Sequence, residues 1–366
     1  MVYFYITLII IIILIVSIRV FFALAPQVGD GGKKRPPINA NDLSYYKNGF
    51  YHNLTRTRFT TPNPALLYKF LFSNNREPKY LIHNKLVNKE LYNFSNHQPL
   101  ITWLGHSSIL LRIDGTNILI DPVFSARASM FPFIGPKAFK KDSEIRLEDL
   151  PPIDIVLISH DHYDHLDYKV IKKLAPNVSK IYTHHGVGAH LEKWGIEPER
   201  IIEMLWWQQE TVIKGMTLTS VPMRHFSGRG PTDRNTTLWG GFAIKGVAHN
   251  ILFSADSGYW EGFKEIGNKL GPFDLAFLEC GQYNEAWHDI HMMPEETAQA
   301  GADVKATNVI PIHWGKFPLS LHSWDEPIER FMAAENQYDY TTRLPEIGAT
   351  YAIDDIPTIE WWNNIQ

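Results

Sequence analysis

The chain carries one cysteine, Cys280, in 366 residues. A lone thiol excludes an internal disulfide and a thiolate zinc cage, so any metal here must be held by histidine and carboxylate. Positive charge is also scarce. Lys and Arg number 35 against 39 Asp and Glu, a formal net charge of −4. A general nucleic-acid binder needs a basic surface, and that class is set aside. No serine-elbow or P-loop pattern is present to compete for a catalytic role. Internal repeats and low-complexity tracts are missing too. What the chain has in quantity is apolar material, 45% of residues, with 11 Trp and 16 Tyr. That supplies ample core for one large two-sheet α/β domain and suggests a site or face lined with aromatics.

The N-terminus lacks something as well: no Lys or Arg precedes its apolar run. Residues 2–18 are apolar apart from Tyr3, Tyr5, Thr7 and Ser17, and the run resumes at 20–25 after Arg19. A signal peptide is supported by Ala23-Leu24-Ala25, a small-x-small cleavage pattern, but its basic n-region is absent. An uncleaved anchor is supported by the length of the run and the polar, Gly-rich residues 27–35 behind it. The anchor is the favoured reading. Arg19, Lys33, Lys34 and Arg35 follow the run, which places the bulk of the chain on the cytoplasmic side. The expected division is a membrane segment at 1–25, a linker at 26–41, an extension packing on the core at 42–98, and a catalytic domain at 99–366.

From residue 100 the pattern becomes short apolar strands: 101–104, 108–113 and 116–120, with an Asp114-Gly115 hairpin turn. Further strands are expected at 153–158, 217–221, 239–244, 250–253, 275–278 and 308–312. Helical spacing falls at 63–72, 166–174 and 294–303. Hairpins first, then strands alternating with helices, fit a layered α/β domain with mixed sheets.

The densest chemistry is Ser159-His160-Asp161-His162-Tyr163-Asp164-His165, directly after a strand. Packing imidazoles and a carboxylate so closely is costly unless a cation compensates them. Other strands end similarly, at His225, at Asp256 and at His313, and strand carboxyl ends are where ligand sites gather in α/β sheets. His160, His162, Asp164, His165, His225, Asp256 and His313 are therefore seven candidate ligands, of the type that suits zinc.

These residues, with Trp103-Leu104-Gly105-His106 and Asp121-Pro122, resemble the metallo-β-lactamase-fold hydrolases. The phrases TWLGHSS, DPVFSARAS, PPIDIVLISHDHYDHLDY, GPFDLA, HMMPEETA and IHWGKF are similar to those of N-acylphosphatidylethanolamine-hydrolysing phospholipases D. The resemblance spans about residues 63–317 and leaves the last ~45 uncovered. It implies a four-layer αββα sandwich holding two Zn2+ ions. His160, His162 and His225 would hold one, Asp164, His165 and His313 the other, with Asp256 bridging. Such a pair can share a hydroxide and clamp both oxygens of a displaced phosphate.

By the same resemblance Tyr163 and His291 contact substrate, and Asp164, Asp256 and His291 carry the catalysis. Asp121 and His106 are read as residues that orient ligands. His184-His185 departs from the family pattern and is read as surface or site-rim; Trp206-Trp207 is read as core or rim. The expected reaction releases phosphatidic acid and an N-acylethanolamine from a phospholipid at a membrane surface, and a homodimer is left open. The alternative is a hydrolase of the same fold acting on a lactone or a soluble phosphodiester, and a remote one is a di-iron redox protein.

Overall fold

Runs of Ile, Val, Leu and Phe too apolar to face water on either side build two mixed sheets that bury each other and their helices. The computed structural model describes residues 1–30, 35–58, 64–73, 75–93 and 98–365. A small ribbon, β1 (Tyr46–Lys47) and β2 (Phe50–Tyr51), precedes the sandwich. The first sheet contains β3 (Leu100–Trp103), β4 (Ile109–Ile113), β5 (Thr116–Ile120), β6 (Ile155–Ile158), β7 (Lys180–His184) and β8 (Ile201–Met204). The second contains β9 (Gln209–Thr211), β10 (Thr217–Val221), β11 (Gly241–Lys245), β12 (Asn250–Phe253), β13 (Leu275–Glu279), β14 (Asn308–Ile312) and β15 (Thr341–Thr342). A last strand, β16 (Thr350–Ala352), returns to the first sheet beside β3, so each sheet has seven strands.

In both sheets one half is antiparallel and the other parallel: β5 to β8 run parallel, as do β12 to β15. Parallel strands deliver their carboxyl ends to one edge, which gathers the site. Helices α3 (Tyr168–Leu174) and α4 (Gly188–Lys193) serve the first sheet. On the second lie α5 (Gly262–Lys269), α6 (Pro294–Asp303) and α7 (Glu326–Glu335). α2 (Pro64–Phe72) matches the helical spacing of the extension, its expected first residue, 63, lying outside the described residues. α1 (Val2–Leu24) touches the domain near its end, where Phe21 stacks on Phe131, and within it Tyr3–Phe22 is the one described stretch long and apolar enough to cross a membrane, with none of it buried.

Several expectations need correction. The helix expected at 166–174 starts two residues later, because Asp167 caps it by accepting from Lys169 N (3.0 Å) and Val170 N (3.4 Å). The linker reading fails at its start. Val28 is buried, Trp194 Nε1 donates to Pro26 O (2.6 Å), and Arg229 Nη2 donates to Gln27 O (2.8 Å). Residues 31–34 of that linker lie outside the described residues. The unmatched C-terminal tail is integral: β16 closes the first sheet, and Trp361 stacks on Trp314 with ring centroids 5.2 Å apart. Polar residues at Lys180, His184 and Glu203 hid β7 and β8 from a reading based on apolar runs.

Candidate metal centre

Every candidate ligand sits just past a strand: β6 leads to the His160–His165 turn, β10 to His225, β12 to Asp256 and β14 to His313. The bends there are tight. Asp121, Ala255, His313 and His106 all have left-handed backbone (φ +40°, +56°, +70° and +56°). Such residues cost about 1–2 kcal/mol each outside glycine and persist only where surrounding bonds hold them. Here those bonds include His106 N donating to Trp314 O and His313 N donating to His106 O, both 3.0 Å.

One group forms from His160, His162, His225 and Asp256. His160 Nε2 lies 2.9 Å from His162 Nδ1, which is 3.3 Å from His225 Nε2. Asp256 Oδ2 faces His160 and His225 at 3.8 and 3.7 Å. His225 Nδ1 donates to Ile290 O (2.9 Å), which leaves Nε2 as the lone-pair nitrogen. The extension contributes here: Asn53 Nδ2 donates to His225 O and His225 N donates to Asn53 Oδ1, at 2.8 and 3.0 Å.

The second group joins Asp164, His165, His313 and His106, with Asp256 between the two. His165 Nε2 is 3.1 Å from Asp256 Oδ2 and 3.5 Å from Asp164 Oδ2, while His313 Nδ1 is 3.1 Å from Asp256 Oδ1. Behind them, Asp121 accepts from His165 Nδ1 (2.7 Å), Ser159 N (2.7 Å) and Ser159 Oγ (2.5 Å). His106 Nε2 donates to Asp164 Oδ2 (2.8 Å). Asp121 and His106 thus stand behind ligand atoms, a carboxylate behind an imidazole and an imidazole behind a carboxylate.

Three buried atoms, His165 Nε2, His313 Nε2 and Asp256 Oδ1, have no hydrogen-bond partner among the described residues. Buried polar atoms are almost always satisfied, and clustered orphans are what a cation would occupy. Burial holds His160, His225 and His313 well below the usual imidazole range, so they are neutral, the ligand form. Burial alone would raise Asp256, but the charge of His165 outweighs it and keeps the carboxylate ionised. The donor set, nitrogen and carboxylate oxygen without sulfur, fits two borderline divalent cations.

The cleft above, about 380 Å³, is lined by His162, Asp164, Asp256, His291 and His313 on its polar floor. Phe226, Trp287, Ile290 and Leu319 supply an apolar wall, with Arg234 and Gln282 at its edge. His291 reaches the cleft, and its Nδ1 donates to Glu279 Oε1 (2.9 Å). Burial alone would depress His291; the Glu279 carboxylate outweighs it and lifts the imidazole above its ordinary value. Burial pushes Glu279 itself up to about 7, against the pull of His291. Glu279 escaped the sequence reading, although it ends β13 in the way that Asp256 follows β12.

Two residues sit elsewhere than expected. Tyr163 does not reach this cleft: its hydroxyl donates to Arg229 O (2.8 Å) and its ring lies under the Arg229 guanidinium (4.0 Å). His165 N and Leu166 N both donate to His162 O (3.1 and 2.8 Å), and in this tight turn Tyr163 is turned away from its neighbours His162 and Asp164. His184 is neither surface nor rim. It ends β7 fully buried against Phe242, while His185 is bonded to the Tyr51 hydroxyl (2.7 Å). Trp206 is core, between Tyr45 and Trp239, and Trp207 is partly exposed.

Comparison with known proteins is consistent with this geometry. A β-lactamase superfamily domain matches residues 116–314. An uncharacterised protein of Mycobacterium tuberculosis is 42% identical over 72% of this chain and 71% of its own length. N-acyl-phosphatidylethanolamine-hydrolyzing phospholipase D 1 of Caenorhabditis elegans is 37% identical over 69% of this chain and 76% of its own length. Among solved structures, CmlA, a diiron β-hydroxylase from Streptomyces venezuelae, superposes with a TM-score of 0.52 at 17% identity. That match covers 70% of this chain and 54% of CmlA, and it speaks for the fold alone.

Proposed function

This chain belongs to the β-lactamase superfamily of metal-dependent hydrolases, and from that premise we propose that it is a dinuclear zinc phosphodiesterase. Its proposed substrate is an N-acylphosphatidylethanolamine, split into phosphatidic acid and an N-acylethanolamine. The observation that carries this is a cleft whose floor holds two imidazole–carboxylate groups sharing Asp256, beneath an apolar wall. A phosphodiester with acyl chains needs both.

When bound, two zinc ions supply Lewis acidity and a water whose pKa falls to about 7. His160, His162, His225 and Asp256 would hold one ion, and Asp164, His165, His313 and Asp256 the other. Asp121 fixes the His165 tautomer, and His106 fixes the Asp164 carboxylate. His291, whose imidazolium form Glu279 favours, would donate to a phosphate oxygen or to the departing alkoxide. The apolar wall excludes water from one side of the phosphate.

The direct test is incubation of the full chain with N-acylphosphatidylethanolamine in mixed micelles, with metal analysis of the same sample. Phosphatidic acid and about two zinc ions per chain are expected. A preparation that opens a lactone but leaves the phospholipid intact overturns the substrate, and stoichiometric iron overturns the metal.

Glu279→Gln tests the proton donor. Without the carboxylate, the His291 imidazolium loses its proton at lower pH, so the acid form disappears earlier as pH rises. The alkaline limb of the kcat profile is expected to move to lower pH, with kcat down about tenfold and KM little changed. An unmoved limb would remove His291 from proton transfer.

The membrane reading also belongs here. Phe21, near the end of the apolar span, stacks on Phe131 (4.9 Å), and Gln27 Nε2 donates to Met130 O (2.9 Å). The loop beside them exposes Phe133 and Ile134, at 69% and 59%. Helix and loop together would set the domain against a bilayer, on the cytoplasmic side if Arg19, Lys33, Lys34 and Arg35 orient it. The protein is expected to resist carbonate extraction and to keep its first 25 residues by intact mass. Release by carbonate, or a mature start at Pro26, would contradict an anchor.

A further inference from the structure

Beside the loop that carries His106, and sharing no lining residue with the metal cleft, is a second cavity of about 350 Å³. Its wall carries four ammonium groups, on Lys137, Lys140, Lys141 and Lys316, against one carboxylate, Glu144. The lysines that form ion pairs among the described residues are Lys85, Lys173, Lys264 and Lys269. None of the four in this cavity does.

Lys316 is the most telling. It is 6% exposed, and its Nζ donates once, to Val123 O (2.6 Å). An ammonium has three donors, and beyond this bond Lys316 Nζ meets the rings of Phe124 and Phe317, 5.5 and 5.8 Å from their centroids, which accept no conventional hydrogen bond. Lys141, half-buried, forms no hydrogen bond from its ammonium among the described residues. The two side chains flank one glycine: a Cβ on Gly105 would lie 3.7 Å from Lys141 Nζ and 3.6 Å from Lys316 Cδ. Burial depresses both, Lys141 to about 8, and the neighbouring charge of Lys141 depresses Lys316 further; Glu144 and, for Lys316, Asp167 offset this only in part. Holding two like charges together out of water is unfavourable unless an opposite charge joins them.

We propose that this cavity binds an oxyanion of the phosphate class between Lys141 and Lys316, with Lys137 and Lys140 at its mouth. Charge-assisted N–H donors lining one cavity suit a tetrahedral oxyanion. The anion can come from solution or from a lipid headgroup. The second source has a route, since Phe124, Ser125 and Ala126 also line the neighbouring cleft that reaches Gln27 and Phe131 beside α1. The site is separate from the metal centre and does not rest on the substrate proposed for it.

The test titrates inorganic phosphate into the detergent-solubilised, metal-loaded full chain by calorimetry, beside Lys141→Met and Lys141→Arg. Phosphate also meets the metal centre, so the readout is the class of sites that Lys141 controls. Wild type is expected to show two classes and Lys141→Met one, with Lys141→Arg weakened less. The lost class should have its affinity reduced at least tenfold, while basal phosphodiester cleavage is unchanged. A second arm compares phosphatidylcholine vesicles with and without phosphatidic acid. Binding that depends on both Lys141 and phosphatidic acid assigns a lipid headgroup; dependence in the phosphate arm alone assigns a free anion. Identical isotherms for wild type and Lys141→Met, together with indifference to phosphatidic acid, overturn the proposal.

Discussion

Asp256→Ala is expected to lower kcat for phosphodiester cleavage by about 10³-fold, roughly 4 kcal/mol of barrier, and to strip the protein of most of its metal. Its carboxylate faces ligands of both groups. Its Oδ2 faces His165, His225 and His160 at 3.1, 3.7 and 3.8 Å, and its Oδ1 faces His313 at 3.1 Å. Removing it leaves five imidazoles and Asp164 around two cations without their shared anion, so both sites weaken together. Asp256→Asn keeps the volume and should lose nearly as much, which separates charge from packing. Metal content by elemental analysis, beside turnover and a thermal melt, is the check. A folded Asp256→Ala protein with full metal and activity within tenfold of wild type would refute the shared-ligand geometry.

The second large effect is expected from a residue that touches neither substrate nor metal. Asp121 accepts from His165 Nδ1, Ser159 N and Ser159 Oγ, all buried. In Asp121→Asn, one oxygen becomes an amine that cannot accept. If the amine faces His165, the imidazole must shift its proton to Nε2, the atom aimed at Asp256. Metal affinity is then expected to fall about 10–100-fold, with a further stability loss of about 1–3 kcal/mol for the unpaired buried groups. Competition with a chelator measures the first and denaturant titration the second. The signature is partial rescue of turnover by excess zinc, which a purely structural defect would not show. An Asp121→Asn protein with unchanged chelator resistance would mean that Asp121 only supports the fold.

Tyr163 and His184 show where linear reading fails. A turn motif says which residue types are close in sequence, but side-chain direction depends on backbone dihedrals that neighbours impose. Tyr163 lies between two ligands in sequence and still points to Arg229. His184 reads as a surface or site-rim histidine and is packed in the core beside Phe242. Glu279 was invisible for the opposite reason. It ends an apolar strand without a motif around it, and acquires meaning only when His291, twelve residues on, folds back onto it.

The residues alone determined the ligand chemistry, because one cysteine leaves only histidine and carboxylate to hold a metal, and their clustering after strands is legible in one dimension. They also marked the apolar N-terminal run and most strands of the sandwich, since burial on both faces demands uninterrupted hydrophobic runs. The tertiary structure gathers the seven candidate ligands around Asp256, in the division that the family resemblance implied, and shows the hydrogen bonds by which Asp121 and His106 stand behind them. It also closed the first sheet with the C-terminal tail, docked residues 26–30 on Trp194 and Arg229, and brought Lys141 and Lys316 to one cavity. The reason is physical: these outcomes depend on contacts between residues tens to hundreds of positions apart, whose distances and directions are set by how two twisted sheets pack.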